Sequence, residues 1–285
     1  MVSAPPMLGI LAGRGDLPRR MIETCRLINR PFFVLAFEGQ TEQATVEGTP
    51  HAWTRLGAVG FALDTLHHAG VKEIVFAGAI KRPSLLTLKP DAKGAALLAR
   101  IGLRALGDDG LLRAVSDVLE GEGFRIIGAD DVLTSLLATG GPLGRYKPDA
   151  LAEEDIARGI AVARALGAVD VGQAVVIQQG IVLGVEAIEG TDALIQRTAS
   201  LRREGLGGVL VKLMKPGQDR RFDLPTIGLG TVTLAASVGL RGIALEAGHV
   251  LVLDRERAIE AADETGLFVY GFDAPDAGGT RGSDQ

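Results

Sequence analysis

Residues 211–228 read Val-Lys-Leu-Met-Lys-Pro-Gly-Gln-Asp-Arg-Arg-Phe-Asp-Leu-Pro-Thr-Ile-Gly and bring together three kinds of chemical tool. Lys212, Lys215, Arg220 and Arg221 can neutralise phosphate oxygens. Asp219 and Asp223 offer the oxygen donors that a hard divalent cation prefers, and either could orient or deprotonate a water. Pro216, Gly217 and Pro225 keep the segment out of regular structure. A phosphoryl centre needs this mixture of charge neutralisation, metal and positioned nucleophile. The same composition also fits an exposed loop whose charges pair with one another.

Three further groups could contribute. Gly13-Arg14-Gly15-Asp16-Leu17-Pro18 turns the chain between a strand and a helix, where backbone N–H groups and the helix dipole suit a phosphate. Its third fingerprint position is Pro18, however, and Glu38 is the first acid after the second strand, so the dinucleotide fingerprint is incomplete. A phosphate or sugar contact and a purely structural turn both stay open. Lys81-Arg82 follows a strand, at the end where parallel sheets form their ligand crevice; the two cations could hold a diphosphate or lie solvated. Glu186, Glu189 and Asp192 form a second acidic group. They could complete a metal site, although Glu189 and Asp192 are more simply acids around a helix start. His51, His67, His68 and His249 form no HExxH or paired Asp/His cluster, and no Nudix glutamate box or GxSxG elbow is present.

The elements that must position these groups follow from periodicity. Short apolar runs predict strands over 8–12, 31–36, 73–77 and 124–127, alternating with helices over 18–28, 57–69, 92–106, 110–122 and 130–137. That alternation predicts a parallel sheet with helices on both faces. Residues 138–148 are dense in Gly and Pro and break both periodicities. The expected organisation is α/β: a Rossmann-like parallel-sheet domain over 1–137, a linker over 138–149, a second α/β domain with a mixed sheet over 150–273, and a disordered tail over 274–285. In the second half we expect a helix over 150–166, a hairpin of 174–178 and 181–187 turning at Gln179-Gly180, and a helix from Thr191, whose hydroxyl can cap it. Strands are expected over 209–214, 242–245, 250–253 and 267–271, with a helix over 255–265 and mixed strand and helix character over 226–239.

Bulk composition excludes several classes. The 285 residues are 47% hydrophobic but only 4% aromatic, so the core must be aliphatic. A net charge of −5 without a basic stripe argues against nucleic acid. The single Cys25 allows no internal disulfide or zinc pattern and reads as a small buried hydrophobe in a reducing compartment. The start, Met1-Val2-Ser3-Ala4-Pro5-Pro6, is no signal peptide, and no apolar run reaches transmembrane length. We expect a cytoplasmic protein with at most peripheral membrane contact.

Along residues 8–272 the chain resembles the UDP-2,3-diacylglucosamine pyrophosphatases of lipid A biosynthesis, the type unrelated to metallophosphoesterases. The resemblance is carried by Gly9 to Pro18, Lys81-Arg82-Pro83, Gly107-Asp108-Asp109-Gly110, Asp170-Val171-Gly172-Gln173, Gly184-Val185-Glu186-Ala187, Glu189-Gly190-Thr191-Asp192 and Glu246-Ala247-Gly248. Its most specific block is Lys215-Pro216-Gly217-Gln218-Asp219 with Asp223-Leu224-Pro225-Thr226. Gln179 departs from it, since an acid before Gly180 is commoner. The resemblance implies metal-dependent hydrolysis to UMP and 2,3-diacylglucosamine 1-phosphate, with attack leaning to the β-phosphorus, at a site between two domains of a homodimer. It makes Asp223 the first essential residue, with Asp219, Lys212 and Lys215 as further catalytic groups, and Asp219 and Asp223 as ligands of a divalent metal, Mg²⁺. Substrate contacts fall to Gly13, Gly15, Asp16, Leu17, Lys81 and Arg82 in the first half. In the second half they fall to Gln173, Glu186, Thr191, Asp192, Gln218 and Thr226. The alternatives are a hydrolase of another nucleotide-sugar and a non-catalytic nucleotide-sugar binding module.

Overall fold

A computed structural model describes residues 5–81, 89–101, 108–216, 219–221 and 224–273. The chain forms two compact units. One comprises residues up to Leu133 with Arg220 and Arg221; the other runs from Thr134 to Asp219 and onward from Leu224.

In the first unit the strands are β1 (Leu8–Ala12), β2 (Phe32–Phe37), β3 (His51–Thr54), β4 (Glu73–Ala77) and β5 (Arg125–Ile126). They form one parallel sheet in the order β3-β2-β1-β4-β5. The helices are α1 (Leu17–Leu27), α2 (Gln43–Val46), α3 (Val59–His68), α4 (Ala92–Ile101), α5 (Asp108–Gly121) and α6 (Ala129–Val132). Strand β1 is buried at every residue, as expected of a central parallel strand covered on both faces. One face packs Leu11, Leu35 and Ile74 against Leu63 and Leu66 of α3 and Leu119 of α5. Cys25 is fully buried on α1, and burial pushes its thiol up to about 11 against the opposing pull of Arg30. The expected helix over 130–137 is α6 followed by a separate 3₁₀ turn, Thr134–Leu136. Strand β3 was not expected; its four residues carry an exposed His51 and a polar Thr54, and such a short edge strand leaves little apolar pattern.

The second unit contains β6 (Gly141–Pro142), α7 (Ala150–Ala168), β7 (Ala174–Gln178), β8 (Ile181–Val185), α8 (Thr191–Thr198) and β9 (Val209–Lys212). After these come β10 (Thr226–Ile227), α9 (Leu229–Ser237), β11 (Gly242–Glu246), β12 (Leu251–Val252), α10 (Arg255–Thr265) and β13 (Phe268–Phe272). Six strands form a mixed sheet, β6-β13-β11-β9-β7-β8, while β10 and β12 pair separately. Helix α7 covers one face, where Ala152, Ile156 and Ala163 meet Val175, Val209 and Val211. Helices α8, α9 and α10 cover the other, where Leu194, Val232 and Ala258 meet Val176, Leu210 and Ile243.

The stretch expected to be a linker is a correction. Ala138 is buried in the second core, and β6 pairs antiparallel with β13 at the sheet edge. Backbone bonds from Ala138 N–H to Val250 O and from Leu143 N–H to Val269 O fix it there. Gly and Pro break helical and strand periodicity without preventing edge pairing. The expected tail over 274–285 lies outside the described residues. Among the described residues no helix is long and apolar enough to cross a membrane.

Candidate active site

Strands β9, β11 and β13 run parallel, so their carboxyl ends share one edge of the second sheet. Strand β7 runs against β9, which brings its amino end to that edge, with Ala174 opposite Lys212. Lys212 therefore ends a strand whose other three residues are core, and its side chain is only 4% exposed. Burying an ammonium is costly unless it is paired and hydrogen-bonded. Here Nζ donates to Thr191 Oγ1 at 2.6 Å, and that hydroxyl donates to Glu186 Oε1 at 2.6 Å. The second carboxylate oxygen accepts the Gln173 N–H at 3.2 Å. Glu186 is itself 6% exposed. A β-carbon on Gly172 would lie 2.0 Å from the Glu186 carbonyl oxygen, so a glycine is required where the two loops meet.

Four residues named from sequence thus converge: Gln173, Glu186, Thr191 and Lys212. The role expected for Thr191 as a helix cap is a correction. Gly190 is the N-cap, without a side-chain bond, and Thr191 is the first residue of α8. Its oxygen, which a cap would turn to a backbone N–H, instead accepts the Lys212 ammonium, and its proton goes to the Glu186 carboxylate.

Around this cluster, Lys215 Nζ sits 2.7 Å from Asp170 Oδ1. Glu246, at the end of β11, accepts the Met214 N–H at 2.8 Å and pins the chain as it leaves β9. Glu246 and Asp170 were not assigned roles from sequence; their signal is an acid at the border of an apolar run. Asp192 is exposed in the first turn of α8, 3.3 Å from the Thr231 hydroxyl. Glu189 pairs with Arg197 at 3.0 Å. Both fit the simpler reading of acids around a helix start. Thr226 lies in β10 and donates to Leu224 O at 2.9 Å. Asp219 is partly buried. Arg220 pairs with Asp130 at 2.7 Å and Arg221 with Glu120 at 2.8 Å, both acids of the first unit. Gln218, Asp223 and Arg82 lie outside the described residues.

The first unit's candidates gather where β1 adjoins β4, at the switch point of the strand order. Gly13 N–H donates to Ala77 O at 2.7 Å, and Arg14 N–H to Ala79 O at 2.8 Å. These two N–H groups of the turn, for which a phosphate contact and a structural role were left open, are bound to the β4 strand and the loop after it. A β-carbon on Gly13 would lie 2.6 Å from Ala79 O, so this glycine serves close loop packing. Gly15 and Asp16 are exposed and Leu17 opens α1. The Lys81 backbone is clamped on both sides by the Gln40 amide, at 2.8 and 3.0 Å, with the lysine exposed.

Family comparison divides the chain in the same way. Residues 7–136 match the LpxI N-terminal domain and residues 139–270 the LpxI C-terminal domain. The chain belongs to the LpxI family. It is 42% identical over 273 residues to the UDP-2,3-diacylglucosamine pyrophosphatase LpxI of Caulobacter vibrioides, covering 93% of this chain and 97% of the relative.

The LpxI C-terminal domain holds the buried Lys212–Thr191–Glu186 chain and the Lys215–Asp170 pair. Among the described residues no three His, Cys, Asp or Glu side chains converge as a metal cluster. His249 Nδ1 lies 2.9 Å from Ala247 O. The described part of the site thus sets a buried ammonium, Lys212, and the Lys215–Asp170 pair beside the carboxylates of Glu186 and Glu246.

Proposed function

We propose that this LpxI-family chain hydrolyses the pyrophosphate bond of UDP-2,3-diacylglucosamine to UMP and 2,3-diacylglucosamine 1-phosphate. The observation that supports the reading best is Lys212, 4% exposed at the strand ends and bonded to Thr191 at 2.6 Å. An ammonium held in a dry site acts on developing phosphoryl charge without having to reorganise. The name of the Caulobacter vibrioides relative agrees with this substrate.

In the proposed reaction a water oxygen bonds to phosphorus while the bridging P–O bond breaks, and the departing phosphate keeps the bond's electron pair. Lys212 and Lys215 stabilise charge on the diphosphate oxygens. Asp223 takes the proton of the attacking water or serves the metal, with Asp219 and Gln218 in support. Gly15, Asp16, Leu17, Lys81 and Arg82 supply further substrate contacts. Carboxylate oxygens are the donor type that suits Mg²⁺, and Asp219, partly buried, brings one such group. Asp219 and Asp223 would hold the ion, which when bound would add positive charge to the phosphoryl oxygens. Val169, Val171 and Ile188 are exposed in the loops at these strand ends and offer apolar surface to acyl chains. The reading includes a homodimer working in the cytoplasm, touching the inner membrane face only peripherally.

The test is thin-layer analysis of purified protein with radiolabelled UDP-2,3-diacylglucosamine, with Mg²⁺ and with chelator. The expected result is release of UMP and the sugar-phosphate lipid, abolished by chelator and by a folded Asp223→Ala protein. Near-full turnover by Asp223→Ala would remove that residue's role. No turnover under several divalent metals would remove the reaction and favour a nucleotide-sugar binding module.

A further inference from the structure

The chain of bonds behind Lys212 has a defined direction. A lysine ammonium only donates, a carboxylate only accepts, and a hydroxyl has one proton to give. Thr191 gives that proton to Glu186 Oε1 and receives the Lys212 ammonium, each at 2.6 Å. Glu186 cannot turn away, because its other oxygen holds the Gln173 N–H and its backbone carbonyl lies against Gly172. Lys212 and Thr191 are 21 residues apart, and they meet because β9 ends beside the start of α8. The carboxylate does not touch the ammonium directly. In direct contact it would compete with a phosphate for the same N–H groups. With a hydroxyl between them the two charges stand further apart, which weakens their pairwise attraction, while the direction of the ammonium stays fixed.

We propose that Thr191 and Glu186 are positioning residues for Lys212, which hold its ammonium in a fixed direction on the diphosphate, rather than substrate contacts. This rests on the pyrophosphatase reading above.

Thr191→Val, Thr191→Ser and Glu186→Gln should be compared with wild type for kcat and KM on UDP-2,3-diacylglucosamine, with melting curves for each. Thr191→Val should lower kcat about 10–100-fold and leave KM within about threefold. Thr191→Ser, which restores the hydroxyl, should recover kcat to within about threefold of wild type. Glu186→Gln keeps an acceptor for the hydroxyl and should fall between the two. A Thr191→Val protein with raised KM and intact kcat would make Thr191 a substrate contact and overturn the proposal. Thr191→Ser as impaired as Thr191→Val would make the methyl group the functional part, and overturn it equally. If Thr191→Val does not fold, Glu186→Gln decides: lowered kcat at constant KM supports positioning, and unchanged kcat refutes it. A wild-type protein that releases no UMP removes the pyrophosphatase reading and the inference with it. An active wild type matched by an equally active Thr191→Val removes the inference alone.

Discussion

Replacing Lys212 by Met tests the centre of the site, because the side chains are close in length and the change removes charge with little change of volume. Lys212 is 4% exposed and Glu186 6% exposed, so the change leaves a buried carboxylate without its cation. Removing one partner of a buried pair typically costs 3–5 kcal/mol. The intervening Thr191 hydroxyl keeps one bond to Glu186, which places the expected loss at about 3 kcal/mol, the lower end of that range. At about 2–4 °C per kcal/mol for a protein of this size class, the second unit should melt about 6–12 °C lower. The double variant Lys212→Met/Glu186→Gln should recover part of this, since no charge is then left buried; a coupling of about 1–3 kcal/mol is expected. Turnover follows separately. Loss of one preorganised donor at a developing oxyanion costs about 100–1000-fold in kcat. Calorimetry on all three proteins and steady-state UMP release on the folded ones provide the measurements. Lys212→Met with an unchanged melting point, or a folded protein within about threefold of wild-type kcat, would refute the argument that a buried, fixed ammonium is central to this site.

Two further predictions concern the scaffold that carries the loops. Asp91 accepts Gly60 N–H at 2.7 Å and Gly94 N–H at 2.8 Å, serving the first turns of α3 and α4 with one carboxylate; Asp91→Ala should cost about 2 kcal/mol by urea unfolding. Desolvation pushes this carboxyl up, but N–H bonds from Gly94, Phe61, Gly60 and Val59 together outweigh it and hold it below the usual carboxylate range. Its contribution is therefore complete above the usual range and fades as pH falls through it and below, so wild type and Asp91→Ala should converge in stability in acid. Asp155, 4% exposed on α7, accepts the N–H groups of Gln179 and Gly180 at 3.2 and 2.7 Å and closes the β7–β8 turn. Asp155→Ala should cost about 2 kcal/mol and Asp155→Asn less, as seen by thermal denaturation, and equal losses would contradict a role for the remaining acceptor.

Much of the scaffold was legible in the residues. The apolar runs of β1, β4 and β7, the Gln179-Gly180 turn and the bounds of α10 all follow from local periodicity and backbone preference. Lys212 was recognisable as a cation within a strand expected over 209–214, which the structure ends at Lys212, and Cys25 as a buried small side chain. What the sequence could not decide was which partner each polar group takes. Thr191 looked like a helix cap because capping is a local habit of threonine, yet its partners are Glu186, five residues away, and Lys212, 21 away. Gly13 left a phosphate contact and a structural turn both open, and its N–H belongs to Ala77, a neighbour only because β1 and β4 lie side by side. Residues 138–149 looked like a linker until β13 offered them an edge. Periodicity reports whether a side chain faces a core; strand order and register decide which loops meet, and a buried charge is satisfied only by whatever those loops bring within hydrogen-bonding distance.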